Sequence, residues 1–223
     1  MVAKKFGPHH KTILNGKNID AIYELWEVSY AVEIELPEDN ETPENVRPGY
    51  CGAYASHFEA GGLSFSLPRF LLAVLADIKM AFTQMAPNFF WYFLGCWVRA
   101  QEEGLEFGHG ELRQLFAIKR NNGFPGMMIL APRGGHGIIE GIPNKDDGWT
   151  EKFFVFKINS ALVGGFDFER IPREWSDDIG ELSTSLDVID LPDLRSSRSI
   201  DPMQSGRTWL ESIVALRKLR LVS

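Results

Sequence analysis

Apolar side chains recur at helical spacing over most of the chain between residues 50 and 120. The segment "SLPRFLLAVLADIKM" (66–80) carries one apolar stripe behind a serine and a proline, a combination typical of a helix start. The segment "MAPNFFWYFLGCWVRA" (85–100) is apolar on nearly all sides after its proline, which indicates a central buried helix. Two further helices are predicted over "GAYASHFEAGGL" (52–63) and "GHGELRQLFAIKR" (108–120). We therefore expect a helical layer over about residues 50–120.

Beyond residue 120 the pattern changes to short apolar runs bounded by turn residues. These runs are "MMILA" (127–131), "GIIEGI" (137–142) and "KFFVFKI" (152–158). The simplest arrangement is a three-stranded antiparallel meander over about residues 126–158, packed against the helical layer. The fold class predicted by this order of elements is α+β. Because the last run is apolar at both alternating sets of positions, that strand is expected to be buried on both faces.

The stretch "APRGGHGIIEGIP" (131–143) combines four glycines with a histidine between two prolines. A phosphate loop would open directly into a helix and would usually be followed by a lysine and a serine or threonine. Here a β-branched run ending at proline follows instead, which favours a β-hairpin whose turn is made by glycine. A ligand-binding loop is the alternative.

The flanking regions are more polar than the central one. The segment "DAIYELWEVSYAVEIEL" (20–36) predicts a short helix that gives way to a strand, and six acidic residues lie between Glu33 and Glu44. At the other end, Trp209, Leu210, Ile213 and Val214 form an apolar stripe that contacts either the chain's own core or another chain. The predicted regions are a polar arm and acidic linker (1–49), a central domain (50–160), an irregular acidic linker (161–205) and an amphipathic C-terminal helix (206–223).

Composition narrows the class of protein. The 223 residues carry a formal net charge of -7, whereas a broad nucleic-acid surface is usually basic. With only Cys51 and Cys96, one chain can build neither a disulfide framework nor a cysteine-based zinc site. No secretory signal is evident, and the longest apolar run is far shorter than the ~20 residues of a membrane span. We expect an intracellular protein, nuclear or cytoplasmic, without membrane contact.

Three blocks of the chain occur in the order of a known pattern. They are the glycine and leucine turn before the first proline-started helix, the segment from Gln84 through Pro87 and Asn88, and the segment from Gly148 to Phe154. Together they resemble the gypsy-type transposon domain of plant genomes, also labelled a gypsy-type transposase domain, over about residues 50–158. This chain departs from that pattern in having "SLPRF" and "NKDDGW" where the family has a histidine and a lysine. The resemblance implies an origin in a plant retrotransposon, a class of transposable element.

Candidate catalytic groups are scattered. Transposases and integrases use three carboxylates that converge on paired metal ions. The candidate carboxylates in this chain are Asp77, Glu140, Asp146, Asp147 and Glu151. We expect these side chains to be solvated. The five histidines lack the paired spacing of a metal-binding helix, and the serines lack a nucleophile-elbow motif. We therefore predict no catalytic residues, no metal site and no cofactor.

The best nucleic-acid candidates surround the last predicted strand. Trp149 could stack on bases, with Lys145, Lys152 and Lys157 reaching phosphates, although burial of the strand is favoured. The leading hypothesis is a retrotransposon-derived, non-catalytic structural or assembly module that self-associates through its C-terminal helix. The alternative is a nucleic-acid-binding or DNA-processing protein, and a metal-dependent nuclease ranks third.

Overall fold

The chain forms helices and short antiparallel strands in a computed structural model that describes residues 6–59, 62–105, 107–133 and 148–176. The helices are α1 (Gly16–Leu25), α2 (Ala55–Glu59), α3 (Arg69–Asp77), α4 (Pro87–Glu102), α5 (His109–Leu115) and α6 (Ser160–Val163). The strands are β1 (Ile34–Glu35), β2 (Tyr50–Tyr54), β3 (Phe116–Arg120), β4 (Met128–Pro132) and β5 (Phe153–Lys157). The predicted α+β class is confirmed. The predicted strand at 137–142 and the predicted C-terminal helix lie outside the described residues.

The two central helices form where the apolar pattern predicts them. Helix α3 begins directly after Pro68, and Pro87 is the first residue of α4, where the missing N–H of proline costs no helical hydrogen bond. Every residue of α3 from Phe70 to Ala76 is buried. In α4 the fully buried side chains include Phe89, Phe90 and Phe93. The prediction of a central aromatic helix is thus confirmed.

Two predicted helices are shorter than expected because strands occupy part of their length. Residues 50–54 form β2, and only residues 55–59 are helical. Likewise α5 ends at Leu115, and residues 116–120 form β3. Residues 50–54 pair with the distant strand β5, and residues 116–120 pair with β4 in a local hairpin, so strand pairing overrides a weak helical preference in both segments.

The strands form two antiparallel sheets, so the expected single meander is wrong. In the first sheet β5 is central and lies between β1 and β2. Phe156 of β5 faces Ile34 on one side and Cys51 on the other. In the second sheet β4 pairs with β3, with Ile118 opposite Leu130. The meander fails because β4 and β5, although neighbours in sequence among the described strands, belong to different sheets.

Each face of the three-stranded sheet is covered by a different set of side chains. Phe154 and Phe156 point into a helical core formed with α1 to α4, together with Cys51 and Ala53 of β2. On the opposite face lies a smaller group, here called the second cluster. Its buried members are Phe6, Tyr54, Ala81, Ala86, Met127, Trp149, Phe153, Val155 and Trp175. The predicted burial of both faces of β5 is confirmed.

The N-terminal segment is packed against the sheet and is not a free arm. Phe6 is buried in the second cluster. The Thr12 hydroxyl donates to the Phe153 carbonyl at 2.6 Å, and the Ile13 amide donates to the Glu151 carbonyl at 2.9 Å. Helix α1 then places Ile19 in the helical core. Residues 6–35 therefore contribute to the same packed body as the central region.

The two predicted acidic linkers are also more ordered than expected where they are described. Arg47 contacts Glu35 and Glu41 at 2.5 and 2.6 Å, so part of the acidic run is neutralised internally. Beyond β5, Leu162, Phe166, Phe168 and Ile171 are buried in the helical core, and Trp175 is buried in the second cluster. Charge and serine content did not reveal these scattered apolar anchors, which carry residues 160–176 back over the sheet.

Candidate functional site

The aromatic residue proposed for base stacking is enclosed by other rings. Trp149 is 7% exposed and lies in a short 3₁₀ turn before β5. Its ring meets Tyr54 edge to face at 4.8 Å between centroids, and Phe124 covers it at 5.5 Å. Stacking on a base requires an open ring face. In this conformation the Trp149 ring instead packs within the second cluster.

The lysines beside it are engaged by glutamates. Lys152 Nζ lies 3.2 Å from Glu59, and Lys157 Nζ lies 2.9 Å from Glu33. The hydrogen bond and the charge of Glu33 raise the pKa of Lys157. Lys145 lies outside the described residues. The described part of the predicted nucleic-acid surface therefore consists of a buried tryptophan and two lysines in ion pairs.

Asp77 differs from the solvated carboxylate that the sequence suggests. Its side chain is only 14% exposed at the end of α3, 3.1 Å from Nε2 of His109 and 3.4 Å from the Arg170 guanidinium. The Asp77 and His109 atoms are within ion-pair distance but are not aligned as a hydrogen bond. Sequence reasoning missed this cluster, whose members come from α3, α5 and the 3₁₀ turn at Phe168–Arg170.

The surroundings of His109 favour the neutral form of its ring. Burial lowers its pKa, the Asp77 carboxylate opposes that shift, and the Arg113 charge adds to it. Phe70 packs edge-on against the ring at 5.7 Å. Arg170 pairs with Asp77 and also lies 5.5 Å from the centre of the Phe166 ring. The cluster thus joins the ends of α3 and α5 to the segment after β5 through the Asp77–Arg170 ion pair and the neighbouring His109 ring.

A second group of polar residues lies near the turn between β3 and β4, with Gln84 fully buried and Asn88 half-buried. The amide nitrogen of Gln84 donates to the Gly126 and Ser176 carbonyls at 2.8 and 2.7 Å, and its oxygen accepts from the Ser176 amide. Asn88 donates to the Leu130 carbonyl at 3.0 Å. Side-chain amides in such a site satisfy main-chain groups that would otherwise be buried without partners. Gln84 therefore joins three segments distant in sequence.

Thr83 extends this network towards the N-terminal half. Its hydroxyl donates to the Pro43 carbonyl at 2.5 Å and accepts from the Trp175 indole N–H at 2.9 Å. The sequence offered one usable signal, since polar residues at 83, 84 and 88 interrupt an otherwise apolar run. Their partners could not be named, because all are main-chain groups or residues far away in the chain.

His57 lies where the helical core meets the second cluster. It is completely buried, 4.4 Å from the Phe90 ring and 5.3 Å from the Tyr54 ring between centroids. Nε2 donates to the Met85 carbonyl at 3.2 Å, whereas Nδ1 has no hydrogen-bond partner among the described residues. Burial lowers the pKa of His57 to about 3, and the hydrogen bond to Met85 only partly opposes this shift. The imidazole is therefore neutral at physiological pH.

The two cysteine side chains are buried. Cys51 and Cys96 are free thiols, and burial raises the pKa of Cys96 to about 12 and that of Cys51 further. Within the described ranges, no three His, Cys, Asp or Glu side chains are placed to hold a metal ion together. Glu140, Asp146, Asp147 and His136 lie outside those ranges. None of the described helices is long and apolar enough to cross a membrane.

Comparison with known proteins gives one distant relative. The chain is 26% identical over 133 residues to the uncharacterized protein At3g60930, chloroplastic, of Arabidopsis thaliana. The match covers 59% of this chain but only 17% of the relative. No family model matches the chain, and no solved structure matches it.

Proposed function

We propose that this chain is a non-catalytic structural or assembly module derived from a plant gypsy-type retrotransposon. The supporting observation is that residues carrying the resemblance stabilise the fold. Gln84 and Asn88 hold backbone carbonyls, and Trp149 fills the second cluster. A structural module acts through its surface and shape, so its fold must be maintained. Residues that maintain the fold are therefore expected to be distinctive in its sequence pattern.

Assembly is proposed to occur through the apolar stripe near the C-terminus. Trp209, Leu210, Ile213 and Val214 recur at helical spacing beside basic residues, and burying one such side chain contributes about 1.5–3 kcal/mol. We propose an intracellular site of action in the nucleus or cytoplasm. The name of the Arabidopsis relative assigns that protein to the chloroplast, so imaging of a fluorescent fusion of the complete protein distinguishes these compartments.

The alternative, a nucleic-acid-binding or DNA-processing protein, would need a different surface from the one proposed around β5. Lys152 and Lys157 each face a glutamate, so binding phosphate there would require breaking an ion pair. Filter binding of the full chain to DNA and RNA at two salt concentrations tests this alternative. Affinity that falls steeply as salt rises would favour it over the assembly module.

Mass measurement by light scattering across a concentration series tests the assembly proposal. The full chain is expected to form a dimer or larger species, and Ile213→Asp is expected to reduce it to a monomer. Ser212→Asp is the matched control, because it adds the same charge beside the stripe and should leave the mass unchanged. A monomeric wild-type chain at every concentration would refute assembly.

A further inference from the structure

The chain contains two Asn–Gly dipeptides whose surroundings differ. Asn15–Gly16 lies at the start of α1, and Asn122–Gly123 lies in the turn between β3 and β4. An asparagine followed by glycine is prone to spontaneous deamidation, because glycine has no Cβ to hinder attack by its own main-chain nitrogen on the preceding side chain. The local structure around each dipeptide therefore decides which asparagine reacts.

The Asn15 side chain is held as the N-cap of α1. Its oxygen accepts from the main-chain amides of Lys17 and Asn18 at 3.0 and 3.3 Å. The Asn15 amide in turn donates to the Asn18 side chain at 2.9 Å, which completes a capping box. Attack by the Gly16 nitrogen would require the Asn15 side chain to leave these donors, so the cap protects Asn15.

The Asn122 side chain has no such restraint. It is exposed and has no hydrogen-bond partner among the described residues. Gly123 is exposed as well, and its amide donates to Asn121 Oδ1 at 2.9 Å. That hydrogen bond lies in the plane of the peptide group, whereas attack uses the nitrogen orbital perpendicular to the plane. The Asn122 side chain is therefore free to approach the Gly123 nitrogen.

We propose that Asn122 is a site of spontaneous covalent modification, at which the folded protein deamidates. The Gly123 nitrogen loses its proton to solvent and bonds to Cγ of Asn122, and the side-chain nitrogen leaves as ammonia. The product is a five-membered succinimide. Water then opens this ring at either carbonyl and yields aspartate or isoaspartate, so the net change is the hydrolysis of one amide to a carboxylate.

The modification would reach the second cluster through the turn. Isoaspartate routes the main chain through the former side chain and so adds one carbon between the paired strands. The same turn places Phe124 against the Trp149 ring at 5.5 Å and the Gly126 carbonyl 2.8 Å from the Gln84 amide. Isoaspartate at position 122 is therefore expected to loosen these contacts, while either product adds a negative charge to the turn.

Peptide mapping of the full chain by mass spectrometry, after timed incubation at mildly alkaline pH, tests the proposal. Asn122 is expected to convert in the folded protein. Asn15 should convert at least about fivefold more slowly, since its cap must break first. In the urea-unfolded chain the two asparagines should convert at similar rates, because both are then followed by an unrestrained glycine.

Gly123→Ala is the test variant, because the added Cβ hinders attack on Asn122 and should slow its conversion. That Cβ would lie 3.5 Å from Asn121 Oδ1, an ordinary contact, so the turn can accept it. Gly110→Ala is the matched control, since it lies in open space and does not follow an asparagine. The proposal would be overturned if Asn122 stayed intact in the folded chain, if Asn15 converted equally fast there, or if Gly123→Ala left the rate at Asn122 unchanged.

Discussion

The two faces of the three-stranded sheet are buried by different means. The face carrying Phe154 and Phe156 is covered by helices whose apolar stripes were evident in the sequence. The face carrying Phe153 and Val155 is covered by pieces from both ends of the described chain, including Phe6 and Trp175. Burial of the first face depends mainly on packing of helices and strands. Burial of the second face depends also on hydrogen bonds from side chains to distant main-chain groups.

This difference explains why polar residues cluster near the second face. An irregular segment leaves main-chain groups without the partners that a helix or sheet would supply, and burial of such groups is costly. Thr83 and Gln84 supply those partners. A helix satisfies its own backbone, so the helical face needs few such residues. The polar positions of this fold thus follow the distribution of irregular backbone.

The largest expected effect is loss of packing on the helical face. Phe154→Ala should lower the free energy of unfolding by about 3–5 kcal/mol, because the side chain is fully buried among the helices. Phe6→Ala, on the irregular face, should cost less, because a terminal segment can rearrange around the vacancy. Urea denaturation of both variants measures the difference. Equal losses would mean that the two faces are equally rigid.

Low pH should destabilise the protein through His57, which lies where the helical core meets the second cluster. His57 has a folded-state pKa of about 3, below the unfolded value of about 6.5, so the unfolded chain binds the proton more readily. The stability due to neutral His57 is present above pH 6.5 and is lost as the pH falls towards 3. Between pH 7 and about 4.5 the loss should be about 2–3 kcal/mol.

His57→Gln keeps a side-chain donor for Met85 while removing the titrating group, so its unfolding free energy should fall less over that pH range. His10→Gln is the control, because His10 is exposed and should retain the wild-type pH dependence. Parallel pH profiles for all three proteins would exclude His57 as the source of the acid sensitivity.

Removing the amide that joins Gly126 to Ser176 should have a smaller effect. Gln84→Met has nearly the same shape but leaves the Gly126 carbonyl and both main-chain groups of Ser176 without this partner. The expected loss is about 1–3 kcal/mol, with faster hydrogen exchange near Ser176. Gln114→Met on the exposed face of α5 should be nearly neutral. Similar stability for both variants would argue against the joining role of Gln84.

The smallest expected effect comes from Gly126 in the turn between β3 and β4. Gly126 has a φ of +83°, and a Cβ there would lie 2.4 Å from the Phe6 ring. Gly126→Ala should therefore displace Phe6 and reduce stability by about 1–2 kcal/mol. Gly110→Ala lies in open space on α5 and should not be destabilising. Trp fluorescence reports displacement through Trp175, whose ring lies 5.7 Å from Phe6.

The sequence by itself determined the α+β class, the positions of α3 and α4, and the burial of both faces of β5. These features follow from short-range periodicity, which each segment carries within its own residues. The strand at Tyr50–Tyr54 and the separation of β4 from β5 were decided by tertiary structure, because strand pairing joins residues far apart in the chain. The same reason applies to Asp77 with His109 and to Gln84 with Ser176. A residue's type was visible in the sequence, but its partner existed only once the chain had folded.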